Sequence, residues 1–321
     1  MVDVSVIIVS YKTRDLLRKC LDSVCEALRD IDNDVIVVDN CSCDGTLEMI
    51  KSDFAWVHLI GNSKNRGFAA ANNQALRIAK GRYIVLLNPD TVVLPGAFDT
   101  AYKFLNERTD VGALGCQLLN RNETLQLSCA SEFPSIPFIL GRMFVRATGI
   151  SSILDRFFPN LHYPFKWWLT PDDHQHLSEV AHITGVCLWV RKEVFDAVGL
   201  LDEQYFMYFE ETELCYRIRK KGWKIFYLPN AQVIHIQHAS ARTSKDFFYG
   251  EREFHFYKGR LIFFRTHHSR WVLACYRMLV ILSVLAKLAL STSLLLLGIH
   301  RDEMRIRIRA YLRITRLSLA F

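Results

Sequence analysis

The sequence predicts an α/β fold, a doubly wound and mostly parallel sheet followed by a helical tail of different character. Three observations carry this. Apolar strands and amphipathic helices alternate from residue 4 to residue 87. The run Tyr83-Ile-Val-Leu-Leu ends abruptly in Asn88-Pro89-Asp90, which delivers a carboxylate to the strand end where open α/β sheets bind ligands. Residues 271–321 hold eight Lys/Arg against Asp302 and Glu303, so six of the seven net positive charges lie in the tail.

The elements follow in order. Val4–Ser10 is a continuous apolar strand, and Thr13 is placed to cap a helix with Leu17, Leu21, Val24 and Leu28 on one face. Val35–Asp39 is a second buried strand, and the single helix between the two implies a right-handed βαβ crossover. Asp44-Gly45 turns into a helix near 46–52; a short strand at 57–60, a helix at 69–79 and the strand at 83–87 follow. Beyond Asp90 come a helix near 96–107, a strand near 111–118, and a stretch from 130 to 175 rich in aromatics and Pro that reads as irregular and suited to acceptor binding. Order returns with a strand over 183–191, helices near 192–198 and 210–221, and a strand near 224–228.

With 321 residues, half of them apolar, the chain has ample material for a core and is globular rather than disordered. Nine cysteines without a CxxC pair, and no leader before Val2-Asp3, fit a reduced, cytosolic setting. Cys41-x-Cys43 is half a zinc motif with no second half nearby. The tail's apolar stretch is interrupted by Arg277 and Lys287, leaving uncharged runs of nine and twelve residues where a bilayer span wants about 20. The last helix interleaves Arg305, Arg307, Arg309, Arg313 and Arg316 with Ile306, Ile308, Leu312, Ile314 and Leu317. It reads as an interfacial membrane helix, with a transmembrane hairpin and a helical cap as the other arrangements. The long apolar stretch before the arginines argues against a nucleic-acid partner.

Four more constellations accompany Asn88-Pro89-Asp90. In Val38-Asp39-Asn40-Cys-Ser-Cys-Asp44-Gly45, a strand ends on a carboxylate able to accept the N3–H of a uracil or thymine ring. Asn65-Arg66-Gly67 leads into a small-residue helix whose N-terminus receives negative charge. Tyr208-Phe-Glu210-Glu211-Thr-Glu213 opens a helix, where two glutamates could equally serve only the dipole. The fourth is Gln-Val-Ile-His235 followed by Ser240.

In this order the five segments resemble the family 2 inverting glycosyltransferases, and within them the rhamnosyltransferase-like group, over residues 3–240. The resemblance implies a GT-A nucleotide-sugar-binding fold over 1–240, with a nucleotide-sugar half to about 120 and an acceptor half from 121. A connecting segment (241–270) and membrane-associating helices (271–321) would follow. It implies that Ser10 and Tyr11 line the nucleotide pocket, Asp39 reads the pyrimidine, and Asn65, Arg66 and Gly67 hold the nucleotide-sugar. Asp90, with His235, would bind a divalent metal (Mg2+ or Mn2+) on the diphosphate, and Asn88 stands where many relatives have the first Asp of an Asp-x-Asp motif. Glu211 matches the family's base position, with Glu210 the alternative, because Glu211 and Glu213 replace the usual aspartates. Thr184, Gly185 and Trp189 lie in the part that meets the acceptor, and Tyr163, Trp167 and Trp168 are candidates for stacking on sugar faces.

The expected function is transfer from a UDP- or dTDP-sugar, dTDP-rhamnose among them, to a lipid-linked or oligosaccharide acceptor in bacterial surface polysaccharide synthesis. The expected place is the cytoplasmic face of the plasma membrane, bound peripherally or monotopically. A sugar-phosphate nucleotidyltransferase and a catalytically silent nucleotide-sugar-binding partner are the rivals; a dehydrogenase is excluded because Ser10–Arg14 carries no GxGxxG.

Overall fold

The computed structural model describes residues 2–130, 132–147, 150–161, 170–236 and 250–321. Tyr163, Trp167, Trp168 and Ser240 lie outside the described residues. Contacts divide the chain into two compact units, Met1–Asp202 with Glu211–Gln237, and Glu203–Glu210 with His238–Phe321.

The first unit opens with β1 (Val4–Ser10), α1 (Arg14–Ala27), β2 (Asn33–Asp39), α2 (Thr46–Asp53), β3 (His58–Gly61), α3 (Phe68–Leu76) and β4 (Tyr83–Leu87). It continues with β5 (Thr91–Val93), α4 (Ala97–Glu107), β6 (Val111–Leu119), β7 (Leu125–Gln126), β8 (Cys129–Ala130), α5 (Ile136–Ala147) and α6 (Ile150–Phe157). Last come β9 (Ser178–Glu179), β10 (His182–Ile183), β11 (Cys187–Arg191), α7 (Lys192–Val198), α8 (Glu210–Lys220, whose first residue belongs to the second unit) and β12 (Lys224–His235). The main sheet runs β3-β2-β1-β4-β11-β6-β12-β5.

The β4 run is apolar throughout because the strand is covered on both faces. Tyr83, Val85 and Leu87 join the core under α1, α2 and α4, while Ile84 and Leu86 join the core under α3, α7 and α8. The alternation is the two-residue period of a pleated strand.

Several expectations are corrected. The sheet is mixed rather than mostly parallel: β3, β2, β1 and β4 are parallel, but β11 runs antiparallel between β4 and β6, and β5 antiparallel to β12. The expected strand over 183–191 is two pieces. His182–Ile183 pairs with β8, and the chain re-enters the main sheet only at Cys187. Gly115 permits this, since a Cβ there would lie 2.2 Å from Ile183 Cγ2. β12 does not stop at Leu228. The ladder to β6 is interrupted between Leu228 and Gln232, where Pro229 cannot donate, and then resumes to Ile234, while His235 pairs with Thr91 of β5. The 130–175 stretch includes the helices α5 and α6. Thr13 occupies the N-cap of α1, but its side chain makes no capping bond; its hydroxyl meets Ser10 Oγ at 3.0 Å instead.

The second unit consists of α9 (Arg252–His267), α10 (Arg270–Leu296), α11 (Arg301–Ala320) and the segment Glu203–Glu210. Phe209 packs edge-on against Phe256 and Phe263 of α9, and Gly259 faces it so closely that a Cβ would lie 2.8 Å from Phe209 Cβ. The two charges that interrupt the tail in sequence are both engaged inside this unit. Arg277 donates to the carbonyls of Ser318 and Leu319, and Lys287 donates to Glu253 Oε1 at 2.6 Å and Tyr257 OH at 3.2 Å. α10 is therefore one helix of 27 residues, long and apolar enough to cross a membrane. Trp271, Met278, Leu282, Leu285, Leu290 and Leu296 are exposed along it.

Candidate functional site

The parallel strands β1, β2 and β4 end together, since Ser10 is in register with Asp39 and Ile8 with Leu87. Such strand ends form the ligand crevice of an open α/β sheet. Asp39, at the end of β2, is 2% exposed. Its Oδ2 accepts the Ser42 N–H at 3.2 Å, while its Oδ1 is buried with no hydrogen-bond partner among the described residues. A buried carboxylate oxygen without a donor is costly, typically by about 1–3 kcal/mol or more, so a ligand N–H reaching it would regain that energy.

Ser10 is fully buried, and Tyr11 is exposed beside it with Lys12 over its ring. Asn65 and Gly67 belong to a network centred on Asn40, a residue the sequence reading did not single out. The Asn40 amide donates to Asn65 Oδ1 at 2.9 Å and Gly67 O at 3.2 Å, and its Oδ1 accepts the Arg66 N–H at 2.9 Å. Gly67 N–H donates to Asn65 Oδ1 at 2.9 Å, and Gly67 has φ of +84°, a conformation glycine adopts freely. This network fixes the turn into α3, so Asp39, Asn40 and Asn65–Gly67 form one continuous polar rim.

After β4, Asn88 N–H donates to Val186 O of the incoming chain, and Asn88 O accepts from Thr91 Oγ1 at 2.7 Å. Cys20 lies beneath with Sγ 3.6 Å from Asn88 O; burial pushes its thiol up to about 12, so it stays protonated as a weak donor. The pairing of β5 with β12 sets His235 opposite Thr91, next to Asp90. His235 Nε2 stands 3.4 Å from Asp90 Oδ1, and both side chains are nearly buried. On the far side of the ring, His235 Nδ1 lies 2.9 Å from Gln126 Oε1, another residue the sequence did not reveal.

Gln126 Oε1 can only accept, so Nδ1 carries a proton; in the neutral ring the Nε2 lone pair faces the Asp90 carboxylate, and in the imidazolium Nε2–H forms an ion pair with it. In the neutral ring these two acceptors repel unless a proton or a metal cation lies between them. Bonds of about 2.0–2.2 Å to a divalent ion place adjacent ligands about 3 Å apart, close to the observed separation. Asp90 and His235 therefore fit a divalent metal. No cluster of three or more His, Cys, Asp or Glu able to hold a metal occurs among the described residues.

Of the three glutamates at the start of α8, Glu213 is committed. It is 2% exposed and pairs with Arg217, which also binds the carbonyls of Val198, Gly199 and Leu200. Glu211 is partly exposed, with Thr212 Oγ1 3.3 Å from its Oε1. Gly185 faces its stem, where an added Cβ would lie 3.4 Å from Glu211 Cβ. Glu210 is 5% exposed. Thr184, beside Gly185, donates its N–H to Ser128 O and has a buried hydroxyl without a hydrogen-bond partner among the described residues. Nearby His182 is held neutral by burial, its pKa pushed down to about 4. Trp189 departs from expectation: it is fully buried at the centre of β11, edge-on to Phe98 at 5.1 Å, and leaves no face for a sugar.

A family model described as Glycosyl transferase family 2 matches residues 5–199. The chain is 29% identical over 252 residues to the N-acetylglucosaminyl-diphospho-decaprenol L-rhamnosyltransferase of Mycobacterium tuberculosis, covering 74% of this chain and 76% of that one. It is 25% identical over 248 residues to the Rhamnosyltransferase WbbL of Escherichia coli, covering 75% and 86%. Among solved structures, that of GalNAc-T7 with UDP, GalNAc and Mn2+ matches with a TM-score of 0.54 at 15% identity, over 74% of this chain and 44% of that one. That likeness is one of fold, an α/β arrangement of the GT-A kind with a mixed sheet.

Proposed function

The chain belongs to glycosyl transferase family 2, and from that premise we propose that it transfers a sugar, with inversion, from a uridine or thymidine diphosphate sugar to a lipid-linked or saccharide acceptor. The process served is bacterial surface polysaccharide synthesis, and the names of the relatives favour rhamnose as the sugar. The observation that carries the reading is the orphaned Oδ1 of Asp39 at the end of β2. Uracil and thymine both present an N3–H that satisfies it.

Asn65, Arg66 and Gly67, held by Asn40, orient the nucleotide-sugar. Asp90 and His235 would hold the divalent ion, which when bound offsets charge on the departing diphosphate. Glu211 takes the proton of the acceptor hydroxyl as that oxygen attacks the anomeric carbon from the face opposite the diphosphate. A diphosphate leaves as an anion, so no general acid is needed, unlike a glycosidase.

The test is release of nucleoside diphosphate by the purified full-length protein across UDP- and dTDP-sugars, with Mn2+ or Mg2+ and then with chelator. Release from one donor that stops with chelator is the expected result. Asp39→Ala should weaken binding of the matching nucleoside diphosphate by about tenfold or more, the worth of a hydrogen bond to a charged group. A protein that binds neither UDP nor dTDP would sink the reading, and binding without turnover on any acceptor would leave the silent-partner alternative in its place.

The second unit supplies the membrane tether. α10 exposes an uncharged apolar face, and Arg301, Arg305, Arg309 and Arg316 are exposed at near-helical spacing on α11. An anionic surface attracts each such arginine by about 1 kcal/mol. The full chain should float with phosphatidylglycerol vesicles, and the triple change Arg305→Glu, Arg309→Glu, Arg316→Glu should lower that partitioning by about 100-fold or more. A wild-type chain that stays in the soluble fraction with these vesicles would remove the tether.

A further inference from the structure

The loop after β2 holds two thiols that the transfer reaction does not use. Cys41 Sγ and Cys43 Sγ stand 3.9 Å apart, Cys43 exposed and Cys41 half-buried, with Cys41 Sγ 3.4 Å from Ser63 O. Both residues have left-handed backbone, φ +67° and +53°, which brings their sulfurs to the same side of the loop. Among the nine cysteines, Cys20, Cys116, Cys129, Cys187 and Cys215 are buried, while Cys25 and Cys275 are exposed. Cys41 and Cys43 thus combine close approach with access from solvent.

We propose that Cys41 and Cys43 are a modification site, a dithiol that a small-molecule disulfide converts to an intraloop disulfide, and that this weakens nucleotide binding at the neighbouring Asp39. The Cys43 thiolate attacks one sulfur of the small disulfide and expels one thiolate. The Cys41 thiolate then attacks Cys43 Sγ of the mixed disulfide and expels the second. The protein loses two electrons and two protons, and the small disulfide becomes two thiols. A bond spanning a single intervening residue is tight and exposed, and such disulfides are the easily reduced kind.

The link to function rests on the reading of Asp39 as the pyrimidine reader. Ser42, the one residue between the thiols, donates its N–H to Asp39 Oδ2 at 3.2 Å and accepts the Lys12 N–H on its Oγ at 2.9 Å. Bonding draws the sulfurs from 3.9 Å to about 2.05 Å. The change is shared between the Cys41 and Cys43 side-chain torsions and the φ and ψ angles of the loop, since the peptides themselves stay planar, and the backbone part of it moves the Ser42 N–H that orients Asp39.

The experiment treats the full-length reduced protein with oxidised glutathione, then measures two things. Mass spectrometry of tryptic peptide 30–51, which contains Cys41 and Cys43 and no other cysteine, should show the loss of two hydrogens. Calorimetric affinity for UDP or dTDP should fall about tenfold, return with dithiothreitol, and not fall in Cys43→Ser treated the same way. A peptide that keeps two free thiols, or that ends as a stable glutathione adduct, overturns the proposal. So does a disulfide that leaves nucleotide affinity unchanged. If the disulfide forms but the reduced protein binds no nucleotide at all, the donor reading fails and the modification site stands.

Discussion

Glu211→Gln is expected to lower turnover by about 10²–10⁴-fold, the range general base catalysis supplies, with nucleoside diphosphate affinity close to wild type. The amide keeps the shape and hydrogen-bonding reach of the side chain and removes only its ability to take a proton. The neighbouring glutamates sharpen the expectation. Glu213 is held by Arg217 through both carboxylate oxygens at 2.8–2.9 Å, so its substitution should cost stability first, because Arg217 also secures three carbonyls of the turn after α7. Glu210 follows Tyr208 and Phe209, both left-handed at φ +67° and +81°. Adjacent bulky residues keep that conformation only where packing imposes it, here through Phe256, Phe263 and Gly259 of α9. Glu210→Gln should therefore change the rate far less than Glu211→Gln. Single-turnover release of nucleoside diphosphate, beside calorimetric donor affinity, separates the two. If Glu210→Gln carries the larger loss, the longer side chains have moved the base by one position.

The first half of the fold was legible because its signals are local. A strand buried on both faces writes itself as an unbroken apolar run, as at Ile7, Ile36 and Ile84 with their neighbours, and each intervening helix shows its own period. What the sequence concealed depends on contacts between distant residues. Nothing near Cys187–Arg191 tells that this strand runs antiparallel between β4 and β6. Pro229-Asn230 looks like a turn that ends a strand, yet the ladder resumes beyond it and carries His235 to Asp90. The tail's two interior charges are a further case. Arg277 and Lys287 interrupt its hydropathy in sequence, while in space they are engaged by α11 and α9 and leave the outer face of α10 uncharged.

The site shows the same division. Asp39, Asp90 and Glu211 stand at element ends, where a carboxylate interrupting an apolar pattern is conspicuous. Asn40 and Gln126 are not conspicuous. An Asn in a loop and a Gln in a two-residue strand are ordinary, and their roles arise only from partners 25 and 109 positions away. Trp189 erred in the opposite direction, since an aromatic in the acceptor half is as easily a core residue, which it is.

Asp90→Ala is the second large loss expected, about 10²–10³-fold in turnover, the scale of removing one electrostatic stabiliser of a leaving anion. The companion change Gln126→Leu tests the geometry behind it. With Gln126 present, a proton is held on His235 Nδ1 and Nε2 is aimed at Asp90 Oδ1, 3.4 Å away, where the two can share a metal ion. Without it, either tautomer is allowed and the ring is free to turn. Outer partners of metal-bound histidines are commonly worth about 10–100-fold in metal affinity, so Mn2+ binding to Gln126→Leu should weaken by that factor while UDP or dTDP binding without metal is unchanged. Titration of Mn2+ followed by electron paramagnetic resonance reads this without reference to activity. Asp90→Ala should bind Mn2+ more weakly still, having lost the only anionic ligand of the pair. Wild-type Mn2+ affinity in Asp90→Ala would show that the ion sits elsewhere, and the repulsion between Nε2 and the carboxylate would then have to be relieved by a proton shared between His235 and Asp90.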